Sequence, residues 1–171
     1  GLTLDYFQKK TTGMLIQKPY IGVIGEGGYK WYNAASMDNS GVEATFTWRD
    51  EIKDFKYDIS FNLSYYKNEI TELYNGVQEY VMATTGMKLA VGHSYGEFYL
   101  NRYAGVNPAN GEQLWYDKDG NVTNEFREGD KVMTGKTYDA PWMGGFGTSL
   151  RWKGLQLSAQ FSWIGKRYVI N

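Results

Sequence analysis

Residues 55–65, FKYDISFNLSY, alternate without a break between apolar and polar side chains. Phe55, Tyr57, Ile59, Phe61, Leu63 and Tyr65 share one parity; Lys56, Asp58, Ser60, Asn62 and Ser64 share the other. Successive side chains of a β-strand point to opposite faces, so this pattern predicts a strand with one apolar and one polar side. The run also has the reach of a strand crossing a bilayer at a tilt, which takes about 9–11 residues, whereas a soluble strand commonly has about 5–6. Aromatic residues stand at both ends of the apolar parity and aliphatic ones between them, the order expected where amphipathic rings sit at two membrane–water interfaces. The segment reads as a lipid-facing strand of an outer-membrane barrel. A long strand of a soluble β-sandwich is the other reading that the segment alone allows.

The same alternation recurs along the chain. Leu2, Leu4 and Tyr6 alternate with Thr3 and Asp5 in a first strand ending near Phe7. Residues 8–40 are rich in Gly, Tyr and Asn with no sustained period, and read as a long loop. Residues 41–49 set Val42, Ala44, Phe46 and Trp48 against Glu43, Thr45 and Thr47, and residues 50–54 read as a short charged turn. After the central strand, residues 67–143 read as the longest irregular region. Residues 145–152 then place Phe146, Thr148, Leu150 and Trp152 opposite Gly147, Ser149 and Arg151. Lys153-Gly154 makes a hairpin turn in which glycine supplies a positive φ. The last strand alternates Leu155, Leu157, Ala159, Phe161 and Trp163 with Gln156, Ser158, Gln160 and Ser162.

The connections therefore run long, short, long, short. Outer-membrane barrels keep short turns on the periplasmic side and long loops outside, and a sandwich has no reason to keep that asymmetry. The expected fold is all-β: an antiparallel up-and-down transmembrane β-barrel fragment of about five strands with short periplasmic turns and long extracellular loops. Barrels need at least about 8 strands in one chain, and open edges in lipid leave backbone groups unsatisfied, so a larger barrel is implied. The pattern begins and ends beside strands, so both ends are expected to be cut. Phe46, Trp48, Tyr57, Ile59, Phe61, Leu63, Leu157, Phe161 and Trp163 are the expected lipid-facing residues. Lys56, Asp58, Asn62, Arg151, Gln156 and Gln160 are expected to face the lumen, where charges more often bond neighbouring strands or a plug than solute.

Composition excludes several functions. Tyr 15, Trp 6 and Gly 21 with only 3 Pro suit strands and glycine-rich loops rather than a helical bundle. A net charge of −1, with no Lys/Arg-rich run, makes no electrostatic case for nucleic acid. The absence of Cys removes disulfides, thiolate metal sites and a Cys nucleophile. Mean hydropathy is −0.52 and no apolar run is long enough for a membrane helix, which does not bear on barrel strands. No secretory signal is expected at Gly1.

Candidate sites follow from the loops. Tyr95, Phe98, Tyr99, Tyr103, Trp115 and Tyr116 lie in the long region, where aromatic faces stack on sugar rings or anchor partners. The plainer reading is that they pack the loop against itself. Asp117-Lys118-Asp119-Gly120 has the opening spacing of a calcium loop but lacks its later ligands, so a β-turn is expected and no metal site. His93, the only histidine, has no accompanying nucleophile motif and reads as a loop residue. Gly25-Glu26-Gly27-Gly28 follows no strand–helix pattern and is not a phosphate loop. The sequons at Asn62 and Asn121 carry little weight in an outer-membrane barrel. A glycoside hydrolase would need two carboxylates across a cleft, and Glu97, Glu112, Asp117 and Glu125 are the available acids. Nothing singles out a pair, so no catalytic residue and no cofactor is expected. A soluble carbohydrate-binding β-sandwich remains the alternative to the barrel.

Several phrases of the chain resemble SusC-like TonB-dependent outer-membrane receptors. These are DYFQKKTTGML at residues 5–15, MDNSGVE at 37–43, NLSYYKNEITEL at 62–73, GVNPANG at 105–111 with YDKDG at 116–120, and the hairpin from Pro141-Trp142 to Gly165. They occur in the family's order across nearly the whole chain. Ala35 stands where Gly is common and Ser40 where a basic residue is common. The resemblance implies a late section of a barrel of roughly 22 strands with a plugged lumen, with the plug, the TonB box and the remaining strands outside residues 1–171. It implies residence in the bacterial outer membrane, in contact with its lipid, and active import of an oligosaccharide or peptide. The implied partners are a SusD-like lipoprotein and, through the plug, the TonB complex.

Overall fold

The structure, a computed structural model, describes residues 1–19, 29–82 and 85–170. Gly25-Glu26-Gly27-Gly28 lies outside them. Five long strands form one antiparallel sheet: β1 (Leu2–Pro19), β2 (Tyr29–Ile52), β3 (Phe55–Leu73), β11 (Trp142–Trp152) and β12 (Leu155–Gly165), in that order. Each neighbour in space is the next long strand in sequence, as in an up-and-down meander.

Seven short strands fill the connection between β3 and β11. These are β4 (Glu79–Val81), β5 (Lys88–Ala90), β6 (Glu97–Leu100), β7 (Arg102–Val106), β8 (Gln113–Tyr116), β9 (Val122–Thr123) and β10 (Val132–Thr137). They pair as β4–β5, β6–β10 and β7–β8–β9.

The register explains why the alternation matters. Antiparallel partners share a face, so the pairing Phe46–Phe61–Phe146–Phe161 runs one apolar row across four strands, with Leu2 at its β1 end. The row on one side is Leu4–Ala44–Leu63–Gly144–Trp163, and beyond it lies Tyr6–Val42–Tyr65–Trp142. A register slip of one residue would throw every row to the other face, so the pattern specifies the pairing strongly. Close approach is built into it: a Cβ on Gly144 would lie 2.6 Å from the Asn62 carbonyl oxygen and 2.8 Å from the Trp163 ring.

Three sequence expectations are corrected. Residues 8–40 are not one loop: β1 continues to Pro19 and β2 starts at Tyr29, paired residue by residue. The charged turn at 50–54 is shorter than expected, since Glu51–Lys56 and Ile52–Phe55 still pair and only Lys53-Asp54 turns. The region from 67 to 143 is not irregular, because β3 reaches Leu73 and the short strands follow. The alternation that marks the lower strands is lost above them for a physical reason. The β1–β2 register shifts between Thr11 and Met14, where Gly13 takes φ 66°, and the β2–β3 register shifts between Ser36 and Met37. A bulge adds one residue to one strand and breaks the period of two.

The second shift leaves Thr71 without a partner and brings Ile70 and Leu73 to the same side. Both are 1% exposed, and with Ile16, Ala34, Ala35, Met82 and Leu89 they form the one cluster of buried apolar side chains among the described residues. Along β3 the parity of Asp58, Asn62 and Asn68 leads to Ile70, so this small core sits on the side of the sheet that continues the polar face.

Candidate functional site

The sheet offers two faces of opposite character. On the apolar face Trp48 is 50% exposed, and Leu157 and Phe161 are each 62% exposed. Tyr57, Ile59, Phe61 and Leu63 lie between them in register with Leu150, Thr148, Phe146 and Gly144, and Phe46 and Trp163 complete the belt. Among the described residues no second sheet covers this surface, as a β-sandwich would require. Its upper margin is aromatic, with Tyr65 and Trp142 rings 4.5 Å apart. The lower margin holds Trp48, whose indole N–H donates to the Tyr57 hydroxyl at 3.4 Å, and Trp152. Strands β11 and β12 are 11 residues each. At about 3.3 Å per residue and a tilt of about 40° they rise roughly 28 Å, against the ~25 Å apolar band of outer-membrane barrels.

The polar face is a ladder of hydroxyls ending in charges. The Ser64 hydroxyl donates to Glu43 at 3.4 Å, the Ser60 hydroxyl to the Gly147 carbonyl at 3.4 Å, and Ser158 to Ser149 at 3.3 Å. Near the two tight turns, Arg49 pairs with Asp58 at 2.5 Å and Lys56 with Glu51 at 2.9 Å, so both charges expected at 56 and 58 bond the neighbouring strand. Arg49, Glu51, Lys56, Asp58, Ser149 and Arg151 surround a cleft of roughly 650 Å³. Asn62 lies over Gly145, whose Cβ position is 3.1 Å from the amide nitrogen. Gln156 and Gln160 stand opposite Arg151 and Gly147.

The loop aromatics do not gather at one place. The Tyr95 ring packs on the small apolar core, and its backbone N–H donates to Asn68 Oδ1 at 2.7 Å. Phe98 is half-buried on β6, where its carbonyl accepts the Thr134 hydroxyl at 3.0 Å. Tyr99 lies under the Lys88 ammonium, 4.9 Å from the ring centroid. Tyr103 and Trp115 meet edge to face at 5.5 Å, and Trp115 meets Phe126 likewise at 5.1 Å. Tyr116 carries Arg102 over its ring at 5.4 Å. Phe126 was not among the sequence candidates. It stands between Glu125 and Arg127, and only the fold of the β7–β8–β9 sheet brings it to Trp115.

The acids of the loop are engaged locally. Asp117 Oδ1 accepts the backbone N–H groups of Asp119 at 2.9 Å and Asn121 at 2.8 Å, and its Oδ2 accepts the Asn121 amide. Gly120 at φ 91° closes the turn, so the β-turn reading describes what Asp117 does. The Asn121 side-chain amide, followed by the turn's backbone N–H groups, holds the Asp117 carboxyl below the ordinary carboxylate range. Glu97, one of the four acids the sequence offered, is 6% exposed: it accepts the Gly135 N–H at 2.6 Å and contacts His93 Nδ1 at 3.0 Å. Those contacts tie β6 to β10 and to the His93 segment that hydrogen-bonds β3 at Ile70. Glu125 pairs with Arg127.

Known proteins carry the same sheet. No protein-family model matches the chain. The TonB-dependent receptor SusC of Bacteroides thetaiotaomicron is 30% identical over 59% of this chain and 11% of its own length. The TonB-dependent receptor P3 of Formosa agariphila is 27% identical over 94% of this chain and 18% of its own. The RagAB peptide transporter superposes with a TM-score of 0.83 at 30% identity, over 96% of this chain and 19% of that one. The RagAB importer in its open-open state gives 0.87 at 30% identity, over 97% and 18%. The chain thus spans less than a fifth of the length of the proteins it matches. With the five-stranded register, the bare apolar belt and these likenesses together, the chain is a β-barrel segment of a SusC-like TonB-dependent receptor of the outer membrane.

Proposed function

We propose that the chain is a late section of the barrel of an active importer that takes up peptides or glycans, with a SusD-like lipoprotein over its mouth and TonB driving a plug elsewhere in the polypeptide. The observation that carries this reading is the apolar belt: register-aligned, bilayer-high, and bordered by aromatic rows on the side opposite a ladder of hydroxyls and charges. The belt residues Phe46, Trp48, Tyr57, Ile59, Phe61, Leu63, Leu157, Phe161 and Trp163 meet lipid. Lys56, Asp58, Asn62, Arg151, Gln156 and Gln160 face the lumen. The two tight turns are periplasmic and the folded loop between β3 and β11 is extracellular, its small core leaning to the lumen side.

The named relatives are receptors and a peptide transporter, which supports import, and peptide as one substrate class. The segment does no catalysis in this reading: Asp117, Glu97 and Glu125 serve turns and ion pairs. Tyr103, Trp115, Tyr116 and Phe126 then offer stacking surfaces to substrate or to the lid lipoprotein, and Tyr95, Phe98 and Tyr99 stiffen the loop beneath them.

Brominated lipids test the placement. In the receptor carrying this segment, single-tryptophan variants retaining Trp48 or Trp163 are quenched by bromine in the acyl chains, and one retaining Trp115 is not. Equal quenching at all three positions, or none at Trp48 and Trp163, overturns the reading. Uptake of labelled peptides and oligosaccharides by cells carrying Trp115→Ala then separates the substrate classes.

A further inference from the structure

On the polar face, level with the upper aromatic margin, two glycines clear the backbone for aromatic rings. Phe7, Gly41 and Tyr66 form one row across β1, β2 and β3. A Cβ on Gly41 would lie 2.5 Å from the Phe7 ring, so that ring rests against bare backbone beside Tyr66. Just above, a Cβ on Gly96 would overlap the Tyr138 ring, and Gly96 holds φ 83°. Two bonds bring Tyr138 to the same side of the sheet as Tyr66. The Tyr66 N–H donates to the Pro141 carbonyl at 3.0 Å, and Asn68, two residues on in β3, accepts the N–H of Tyr95, which precedes Gly96. Burial raises the pKa of the Tyr138 hydroxyl, and Asp139, Tyr95 and Tyr66 each push it further up; none of these neighbours is a cation. Phe7 is 36% exposed and Tyr138 41% exposed, so the shelf is open to solvent.

The charges beside these rings are mostly negative. The row beneath reads Asp5–Glu43–Ser64, which sets two acids directly opposite one another, an arrangement that destabilises a sheet. Glu43 accepts only the Ser64 hydroxyl, at 3.4 Å, and the carboxylates of Asp5 and Asp139 bond no described residue. The row above reads Lys9–Asn39–Asn68 and supplies one ammonium. Two further cations are turned away: Lys67 has the apolar parity and pairs with Glu69, and Lys136 lies over the Tyr168 ring at 5.2 Å. Three carboxylates therefore border the shelf against one ammonium.

We propose that Phe7, Tyr66 and Tyr138, with Asp5, Glu43 and Asp139 at their borders, form a cargo subsite at the mouth of the lumen. It takes the cationic part of a peptide: an Arg or Lys side chain, or a terminal amine. Rings alone would serve a sugar equally well. A neutral sugar, however, leaves the surplus carboxylates and the opposed Asp5–Glu43 pair uncompensated. An ammonium or guanidinium is attracted by the ring faces and makes charge-assisted hydrogen bonds to the acids. One of the matched structures is a peptide transporter, which agrees with that class of cargo.

This deepens the import reading and rests on the polar face being the lumen, which the bromolipid measurement tests independently. The full receptor is incubated with a random heptapeptide library whose N-termini are acetylated, and in parallel with the same library unacetylated. Mass spectrometry then reads the retained peptides. Wild type is expected to enrich Lys and Arg about five-fold over the input, and Asp5→Asn combined with Asp139→Asn abolishes the bias. Tyr138→Phe keeps the ring and keeps the bias. Retention confined to the unacetylated library assigns the seat to the terminal amine. Unchanged bromolipid quenching at Trp163 shows that the double variant is folded. Retained peptides without basic bias, or with equal bias in wild type and the folded double variant, overturn the subsite and leave peptide import intact. No retained peptide, with labelled oligosaccharide still imported, overturns the subsite and leaves the importer reading intact.

Discussion

Replacing Ile70 by alanine separates the loop from the barrel. Ile70 is 1% exposed and packs with Leu73 and Leu89, which are equally buried, so the truncation leaves a cavity with little freedom to collapse. Ile→Ala at such a site costs about 2–5 kcal/mol. The cluster draws on β1, β2, β3 and β5 above the apolar belt, so the loss falls on the folded loop rather than on β11 and β12. Where exchange proceeds by local opening, each 1.4 kcal/mol is a factor of ten, so protected loop amides exchange roughly 30- to 3,000-fold faster. Hydrogen exchange by mass spectrometry on the receptor in lipid reads this directly. The reporters are the amides of Met82, bonded to the Met87 carbonyl at 2.8 Å, and Gly92, bonded to the Ile70 carbonyl at 2.8 Å. Val122→Ala, at 55% exposure, is the control and leaves both amides unchanged. Unchanged exchange in Ile70→Ala, or equal loss of protection across β11 and β12, would refute the idea of a loop with its own core.

Four further outcomes are expected. Phe61→Arg, at the middle row of the apolar belt, destabilises the folded receptor by about 2–4 kcal/mol in urea titrations in lipid, whereas Ser60→Arg one residue away costs far less. Gly144→Val forces a side chain against the Asn62 carbonyl and the Trp163 ring, and lowers the same stability by about 1–3 kcal/mol. Glu97→Ala removes the acceptor of the Gly135 N–H, and exchange at Gly135 rises first. The Asp117 carboxyl has a lowered folded-state pKa, so its contribution is fully present above the unfolded value near 3.9 and is lost as pH falls through the folded one. Protection of the Asp119 and Asn121 amides therefore survives at pH 5 and disappears only on stronger acidification, and Asp117→Asn flattens that profile.

Much of the barrel was written in the alternation itself. Residues 55–65 and 155–163 assign each side chain to a face because the strand period is two, and a slip of one residue would bury charges in the belt. The turn at Lys153-Gly154 was equally legible, since Gly154 at φ 87° meets a requirement that few residues satisfy. The wider architecture was not legible where the period fails. A bulge inserts an extra residue and breaks the period, so β1 and β2 above Thr11 and Ser36 read as loop although they pair to Pro19 and Tyr29. Asn68 likewise looked like a polar loop residue, yet it is buried because its Oδ1 accepts the Tyr95 N–H.

The aromatic residues show the same division. Composition announced that rings would matter, but only tertiary structure placed Tyr103, Trp115 and Phe126 together and sent Tyr95 into the small core. Which cations were paired followed from cross-strand register, a relation between residues far apart in the chain: Arg49 reached Asp58, Lys56 reached Glu51, and Arg151 was left facing Lys56. Local alternation determines which face a residue occupies. Only strand pairing decides which residues it meets there.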